Sequence, residues 1–279
     1  MEFASAEARS RYDAVVRAAD SLLVALDFDG TLAPIVGDPE IAHIHERAGG
    51  VLIDLAARVG TIAVVTGRPA RQVLALGGLD EVGDVIGERG SELVVLGQYG
   101  NERWTSAQRR VVSPKPPPGL SGFISELPRL LRRADASDAW VEEKGLAVAV
   151  HTRRAADPAA AYDRLLPVLS DAAAARGLTV EPGRMVIEVR AGGMDKGLAL
   201  RGLVTETGAR AVVFVGDDLG DVPAFETVRA LRGHGVPGLL VCSGSDEQSA
   251  LRPLSDIVVD GPDGVLAFLD ALARPALPE

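Results

Sequence analysis

Apolar residues along this chain fall into two patterns that alternate. Residues 21–27 (SLLVALD) form a short apolar run that ends in a carboxylate, and 61–65 (TIAVV), 211–215 (AVVFV) and 238–242 (GLLVC) are runs of the same kind. Continuous apolar runs of this length read as strands buried on both faces of a parallel sheet. Between them lie stretches with helical spacing at about 41–58, 197–206, 224–232 and 264–273. A further helix pattern begins at Pro69, a residue that suits a first helical turn because its missing N–H costs nothing there. Strands alternating with helices predict an α/β fold, a doubly wound, Rossmann-like parallel sheet. From Pro275 onward the chain reads as a frayed tail.

The middle of the chain breaks this alternation. SPKPPPG (113–119) is a stiff connector. It precedes a helix at about 120–134, apolar runs around WVEEK (140–144) and LAVAVHT (146–152), an Ala-rich helix at 158–176, and short strands at 178–181 and 185–190. Lys144-Gly145 reads as a hairpin turn. Strand–strand–helix–strand–strand is an α+β pattern, so three segments are expected: a core domain over 1–113, an inserted α+β domain over 114–192, and the remainder of the core over 193–279.

Length agrees with that division, since 279 residues amount to about two domains. Lys and Arg number 29 against 39 Asp and Glu, a net charge of −10. This argues against a nucleic-acid footprint or a polybasic attraction to lipid. One cysteine, Cys242, excludes an intrachain disulfide framework and a multi-cysteine metal site. No apolar run approaches the roughly 18 residues of a membrane span. MEFASAEARSRYD is unlike a secretory signal. A soluble, cytoplasmic protein is expected.

The most informative segment is Asp27-Phe28-Asp29-Gly30-Thr31-Leu32. Two carboxylates stand at i and i+2 on the tip of a buried strand, where open α/β sheets place their ligands. If strand geometry persists, both side chains leave on one side. One could attack an electrophile while the other exchanges a proton with the leaving group. The motif resembles the first signature of the haloacid dehalogenase-like phosphohydrolases, DxDGT. The resemblance implies that Asp27 forms an aspartyl-phosphate and that Asp29 protonates the leaving oxygen and then deprotonates the attacking water.

Phosphoryl transfer needs positioning and electrostatic stabilisation. Thr66 ends the second strand where a helix begins, and its hydroxyl and neighbouring N–H groups could hold a phosphate oxygen. Lys196 opens a helix, where a cation opposes the macrodipole and a phosphate with clustered carboxylates would favour it. Gly216-Asp217-Asp218-Leu219-Gly220-Asp221 puts three acids on one strand tip, which repel unless a cation is present. Oxygen ligands and a phosphate substrate point to Mg²⁺. Asp27, Asp29 (through its backbone carbonyl, by the resemblance) and Asp217 are the expected ligands. Asp218 is counted at the metal site as well, and it and Asp221 are expected to orient waters or Lys196. The order DxDGT, Thr66, Lys196, GDDxxxD matches the four motifs of that superfamily.

The resemblance narrows to the trehalose-6-phosphate phosphatase family through LDFDGTLAPI (26–35), VVTGRP (64–69), GQYGNERW (97–104), VEEKGLAVAVHTR (141–153), GRMVIEVR (183–190), MDKG (194–197) and GDDLGDVPAF (216–225). It implies that the insertion is a substrate-selecting cap in which Glu142, Lys144 and Glu188 bind the disaccharide, and that Arg68 contacts substrate. It also implies a separate chain as the source of trehalose 6-phosphate, a synthase. Departures are Gly220 for a common Thr, Val222-Pro223 near a common Glu, Tyr99 for a common His, and Thr66 for a common Ser. Other readings remain: a phosphatase for another sugar phosphate, such as a glucosyl- or mannosyl-glycerate phosphate, or a silent sugar-phosphate-binding module. His43, His45, His151 and His234 do not cluster with the motifs, and His151 reads as structural. Trp104 and Trp140 read as packing residues, and Cys242 as a buried small hydrophobe.

Overall fold

The computed structural model describes residues 2–244 and 251–274. The expected tail from Pro275 lies outside them. In chain order the elements are β1 (Glu2–Phe3), α1 (Ala6–Arg17), β2 (Leu22–Leu26), α2 (Ala48–Ala56), β3 (Thr61–Val65), α3 (Ala70–Gly77), α4 (Leu79–Glu88), β4 (Leu93–Gly97) and β5 (Glu102–Thr105). Then come α5 (Leu120–Arg133), β6 (Trp140–Glu143), β7 (Ala147–His151), α6 (Pro158–Ala174), β8 (Thr179–Gly183) and β9 (Val186–Arg190). The chain continues through α7 (Lys196–Thr207), β10 (Ala211–Gly216), α8 (Val222–Gly233), β11 (Gly238–Gly244), β12 (Ile257–Asp260) and α9 (Gly261–Ala273). These elements form two compact units, Met1–Ser113 with Asp195–Glu279, and Pro114–Met194.

In the first unit one sheet runs β1-β12-β11-β10-β2-β3-β4-β5. Its central pairs are parallel, while β1 with β12 and β4 with β5 are antiparallel, so the expected parallel sheet is mixed at its edges. Because strand side chains alternate between faces, both faces of the apolar runs are buried. Leu22, Val24, Leu26, Ile62, Val64, Val213 and Val215 share one apolar cluster with Leu52 and Leu55 of α2 and Leu266 and Leu269 of α9. The intervening positions turn the other way, where Phe214 of β10 meets Phe225 of α8 edge-on at 6.0 Å. Trp104 and Cys242 are buried, as their sequence context suggests.

Several boundaries differ from the pattern reading. The helix at about 41–58 is α2, Ala48–Ala56. Its expected N-terminal part, 42–47, is loop and turn, preceded by a tight turn at Pro39–Ile41 capped by Asp38. Pro69 is the residue capping α3 (ψ 137°) rather than a member of its first turn. Elements α1, α4, β4, β5 and β12 lie outside the alternation read from the sequence. β5 is four residues with two partly exposed positions, too short and mixed to announce itself.

The second unit is a four-stranded antiparallel sheet, β6-β7-β9-β8. The turn at Lys144-Gly145 joins β6 to β7, with Gly145 at φ +79°. Val148, Val150, Ile187 and Val189 pack with Phe123 and Leu127 of α5 and Leu165 and Leu169 of α6. One sheet face is therefore apolar and covered. Its alternate positions form a polar face, along which Glu142, Ala149, Glu188 and Glu181 stand opposite one another in one cross-strand row.

Candidate active site

The parallel strands β11, β10, β2 and β3 end at one edge of the first sheet, and their tips carry Ser243, Asp217, Asp27 and Thr66. The chain passes from β2 to β3 on one side and returns through β10 on the other. The β2/β10 junction is thus the switch point at which such sheets bind ligands. Asp27 N–H donates to the Val215 carbonyl at 2.9 Å, which extends the β2–β10 pairing to the first acid.

Two glycines let the acids converge. Gly30 has φ +68°, a conformation that a side chain resists. A Cβ there would sit 2.2 Å from Asp217 Oδ2. A Cβ on Gly216 would sit 2.3 Å from Asp221 Oδ2. Ser243 Oγ donates to the Gly30 carbonyl at 2.5 Å and ties this turn to β11.

Asp27, Asp217 and Asp221 are buried and bring carboxylate oxygens within 4.8 Å of one another. Asp195 caps α7 by accepting from Leu198 N–H, so that Lys196 begins the helix. Its Nζ lies 2.7 Å from Asp27 Oδ1 and 2.7 Å from Asp221 Oδ1. Burial pushes the Asp27 carboxyl well above the usual carboxylate range, with Lys196 pulling against it. Burial, with Asp27, Asp218 and Asp221 nearby, raises Asp217 to about 10. Burial opposes the charge on Lys196, yet Asp221 and Asp27 hold its ammonium well above the usual lysine range. With all three acids ionised, the cluster would carry an excess of negative charge beside one ammonium. An oxygen-only donor set with that excess fits a hard divalent cation, so the cluster can hold a metal.

The other acids have different partners. Asp221 Oδ2 accepts from the N–H groups of Asp217 and Asp218 at 3.0 and 3.3 Å, while its Oδ1 accepts from Lys196. Asp218 Oδ1 accepts from Gly220 N–H and caps the turn Leu219–Asp221. Asp218, expected at the metal, caps this turn through its Oδ1, and the three acids whose carboxylates converge are Asp27, Asp217 and Asp221. Asp29 is also outside the three. Strand geometry ends at Leu26, and the Asp29 side chain is 40% exposed and paired with Arg68 Nε at 2.6 Å.

Thr66 Oγ1 accepts from Arg68 N–H at 3.1 Å, which leaves its own proton for another acceptor. The loop after β4 braces this segment: Tyr99 N–H donates to the Thr66 carbonyl at 2.9 Å and Gln98 N–H to the Arg68 carbonyl at 2.8 Å. Both Gln98 and Tyr99 have positive φ (49° and 59°), strain that persists where surrounding structure demands it.

In the second unit, Lys144 Nζ lies 2.7 Å from Glu188 Oε2. Glu188 is 4% exposed and its Oε1 is buried without a hydrogen-bond partner. Glu142 Oε2 lies 2.9 Å from His151 Nε2, and the His151 ring stacks on Trp140 at 4.5 Å. His151, read from sequence as structural, and Trp140, read as packing, thus join the polar face beside Glu142. Their register was the missing signal: Trp140 pairs with His151 across β6 and β7, one step along from Glu142.

Residues 25–256 match the family described as Trehalose-phosphatase. The chain is 33% identical over 258 residues to an uncharacterized glycosyl hydrolase of Mycobacterium tuberculosis, covering 90% of this chain and 18% of that protein. It is 32% identical over 259 residues to a trehalose-phosphate phosphatase of Mycobacterium avium, covering 90% of this chain and 61% of that one. It therefore spans less than two thirds of the length of either relative. The C-terminal domain of trehalose-6-phosphate phosphatase from Candida albicans shares the fold, with a TM-score of 0.76 over 98% of each chain at 20% identity.

Proposed function

Because the chain belongs to the trehalose-phosphatase family, we propose that it hydrolyses trehalose 6-phosphate to trehalose and inorganic phosphate through an aspartyl-phosphate on Asp27. The observation that carries this reading is the buried triangle of Asp27, Asp217 and Asp221 closed by Lys196 at the sheet's switch point.

In this reading an Asp27 carboxylate oxygen attacks phosphorus as the bond to the sugar oxygen breaks. Asp29 delivers a proton to that oxygen. Asp29 then takes a proton from water, whose oxygen attacks the acyl phosphate and releases phosphate and free Asp27. Lys196 offsets charge on the transferring group while Asp221 holds it in place. The Thr66 hydroxyl donates to a phosphate oxygen. Mg²⁺ would be held by the carboxylates of Asp27 and Asp217 with the Asp29 backbone carbonyl. Bound there, it would neutralise the acid excess and stabilise charge on the phosphoryl oxygens.

Glu142, Lys144 and Glu188 bind sugar hydroxyls by charge-assisted hydrogen bonds. The buried, unpartnered Oε1 of Glu188 supports this, since a buried acceptor without a donor is costly until a ligand supplies one. The inserted unit, residues 114–192 in the sequence reading, carries substrate choice. The reading extends to a cytoplasmic setting and to a trehalose-6-phosphate synthase as the source of substrate.

The test is phosphate release from trehalose 6-phosphate, glucose 6-phosphate, sucrose 6-phosphate and glucosyl-3-phosphoglycerate, each with Mg²⁺ and with chelator. Mg²⁺-dependent preference for trehalose 6-phosphate is expected. Preference for another member would retain the chemistry and replace the substrate. No release from any of them would favour a silent binding module.

A further inference from the structure

Arg68 makes an unusually complete set of contacts for a residue assigned to substrate. Its Nε donates to Asp29 Oδ2 at 2.6 Å and its Nη2 to Asp29 Oδ1 at 2.7 Å, a two-bond fork on one carboxylate. Its Nη1 donates to the Pro39 carbonyl at 2.7 Å. The guanidinium lies 5.8 Å from the centre of the Phe28 ring, and the residue is 8% exposed. Its backbone is held at both ends, N–H to Thr66 Oγ1 and carbonyl from Gln98 N–H. The guanidinium is therefore a fixed object, and Asp29 is the group it grips.

Asp29 needs such a grip. It lies three residues past the end of β2, precedes a glycine at φ +68° and is the exposed one of the two motif acids. A planar fork sets both the direction and the plane of a carboxylate, which a single contact does not. We propose that Arg68 is a positioning residue: it acts on the reaction through Asp29, holding that carboxylate in register with the leaving oxygen, and does not serve as a phosphate ligand. This rests on the reading of Asp29 as the proton-exchanging group.

The two roles differ in what they predict. A phosphate ligand helps every phosphomonoester alike, and its loss multiplies with the loss of Asp29. A residue acting through Asp29 matters most where the leaving oxygen needs a proton, and it stops mattering once Asp29 is gone. The experiment measures kcat/KM, which reports transfer to Asp27, for phenyl phosphate and p-nitrophenyl phosphate. Wild type, Arg68→Gln, Asp29→Asn and the double variant are compared. Arg68→Gln is expected to cost about 10- to 100-fold on phenyl phosphate and no more than about threefold on p-nitrophenyl phosphate. It is expected to cost nothing further in the Asp29→Asn background. Equal losses on the two aryl phosphates, or a multiplied loss in the double variant, would overturn the proposal. Arg68→Lys, which keeps the charge without the fork, is expected to show the same selectivity at smaller size and guards against a folding defect in Arg68→Gln. Neither aryl phosphate carries a sugar, so an error in the assigned sugar leaves this result intact.

Discussion

The two polar clusters are secured by different means. At the strand tips, carboxylates are seated against backbone: Asp217 against Gly30, and Asp221 against Gly216 and two N–H groups. On the polar face of the second sheet, side chains hold other side chains across strands, Lys144 with Glu188 and Glu142 with His151. Backbone seating leaves little freedom and suits the in-line geometry of phosphoryl transfer. On the sheet face an acceptor stays open for a sugar hydroxyl, the buried Oε1 of Glu188. Changes at the tips should therefore abolish chemistry on any substrate, and changes on the sheet face should alter preference among substrates.

The largest expected effect is that of Asp27→Asn, a loss of at least about a thousandfold in turnover of every phosphate monoester, with thermal unfolding little changed. Appreciable turnover would remove Asp27 as nucleophile. Gly30→Ala comes next. Its Cβ would collide with Asp217 in a backbone conformation that alanine resists, so about 1–3 kcal/mol of stability and about a hundredfold in activity are expected to go. A wild-type unfolding curve would show that the turn can relax and that seating is looser than the contrast requires.

Glu188→Ala should cost about 10- to 100-fold in kcat/KM on trehalose 6-phosphate while leaving p-nitrophenyl phosphate nearly unchanged. Equal losses would merge the two clusters into one functional class. Saturating Mg²⁺ should raise the unfolding temperature, corresponding to about 2.7 kcal/mol at a hundred times the dissociation constant. Asp217→Asn should diminish that rise and Glu188→Ala should not. The smallest effect expected is that of His151→Asn, a few-fold rise in KM for trehalose 6-phosphate with kcat retained, since one side-chain hydrogen bond is worth about 1 kcal/mol. A fall in kcat instead would place His151 outside substrate recognition.

Much of the first site was legible from local pattern. Continuous apolar runs marked β2, β3, β10 and β11, and at or just past their ends stand Asp27, Thr66, Asp217 and Ser243, three of which stood out as chemical groups. Ser243 did not, because a serine ending a strand carries no signal until a glycine carbonyl from another strand meets it. Asp218 and Asp221 were indistinguishable by spacing, and only the turn geometry separated the cap from the lysine's partner. The polar face of the second sheet was less legible. Glu142 and Glu188 came forward only through the family resemblance, and pairing register decides which residues stand beside them.

The sequence by itself determined the alternation of the central strands with their helices, the strand tips on which the acids stand, and the presence of an insertion of another class. Those properties depend on hydrophobic period and on turn residues, which are local. Only the tertiary structure decided the partners: Arg68 for Asp29, Asp221 for Lys196, His151 for Glu142. Each pair joins residues from different elements, and the distance between them depends on sheet order and register, which no short stretch of chain encodes.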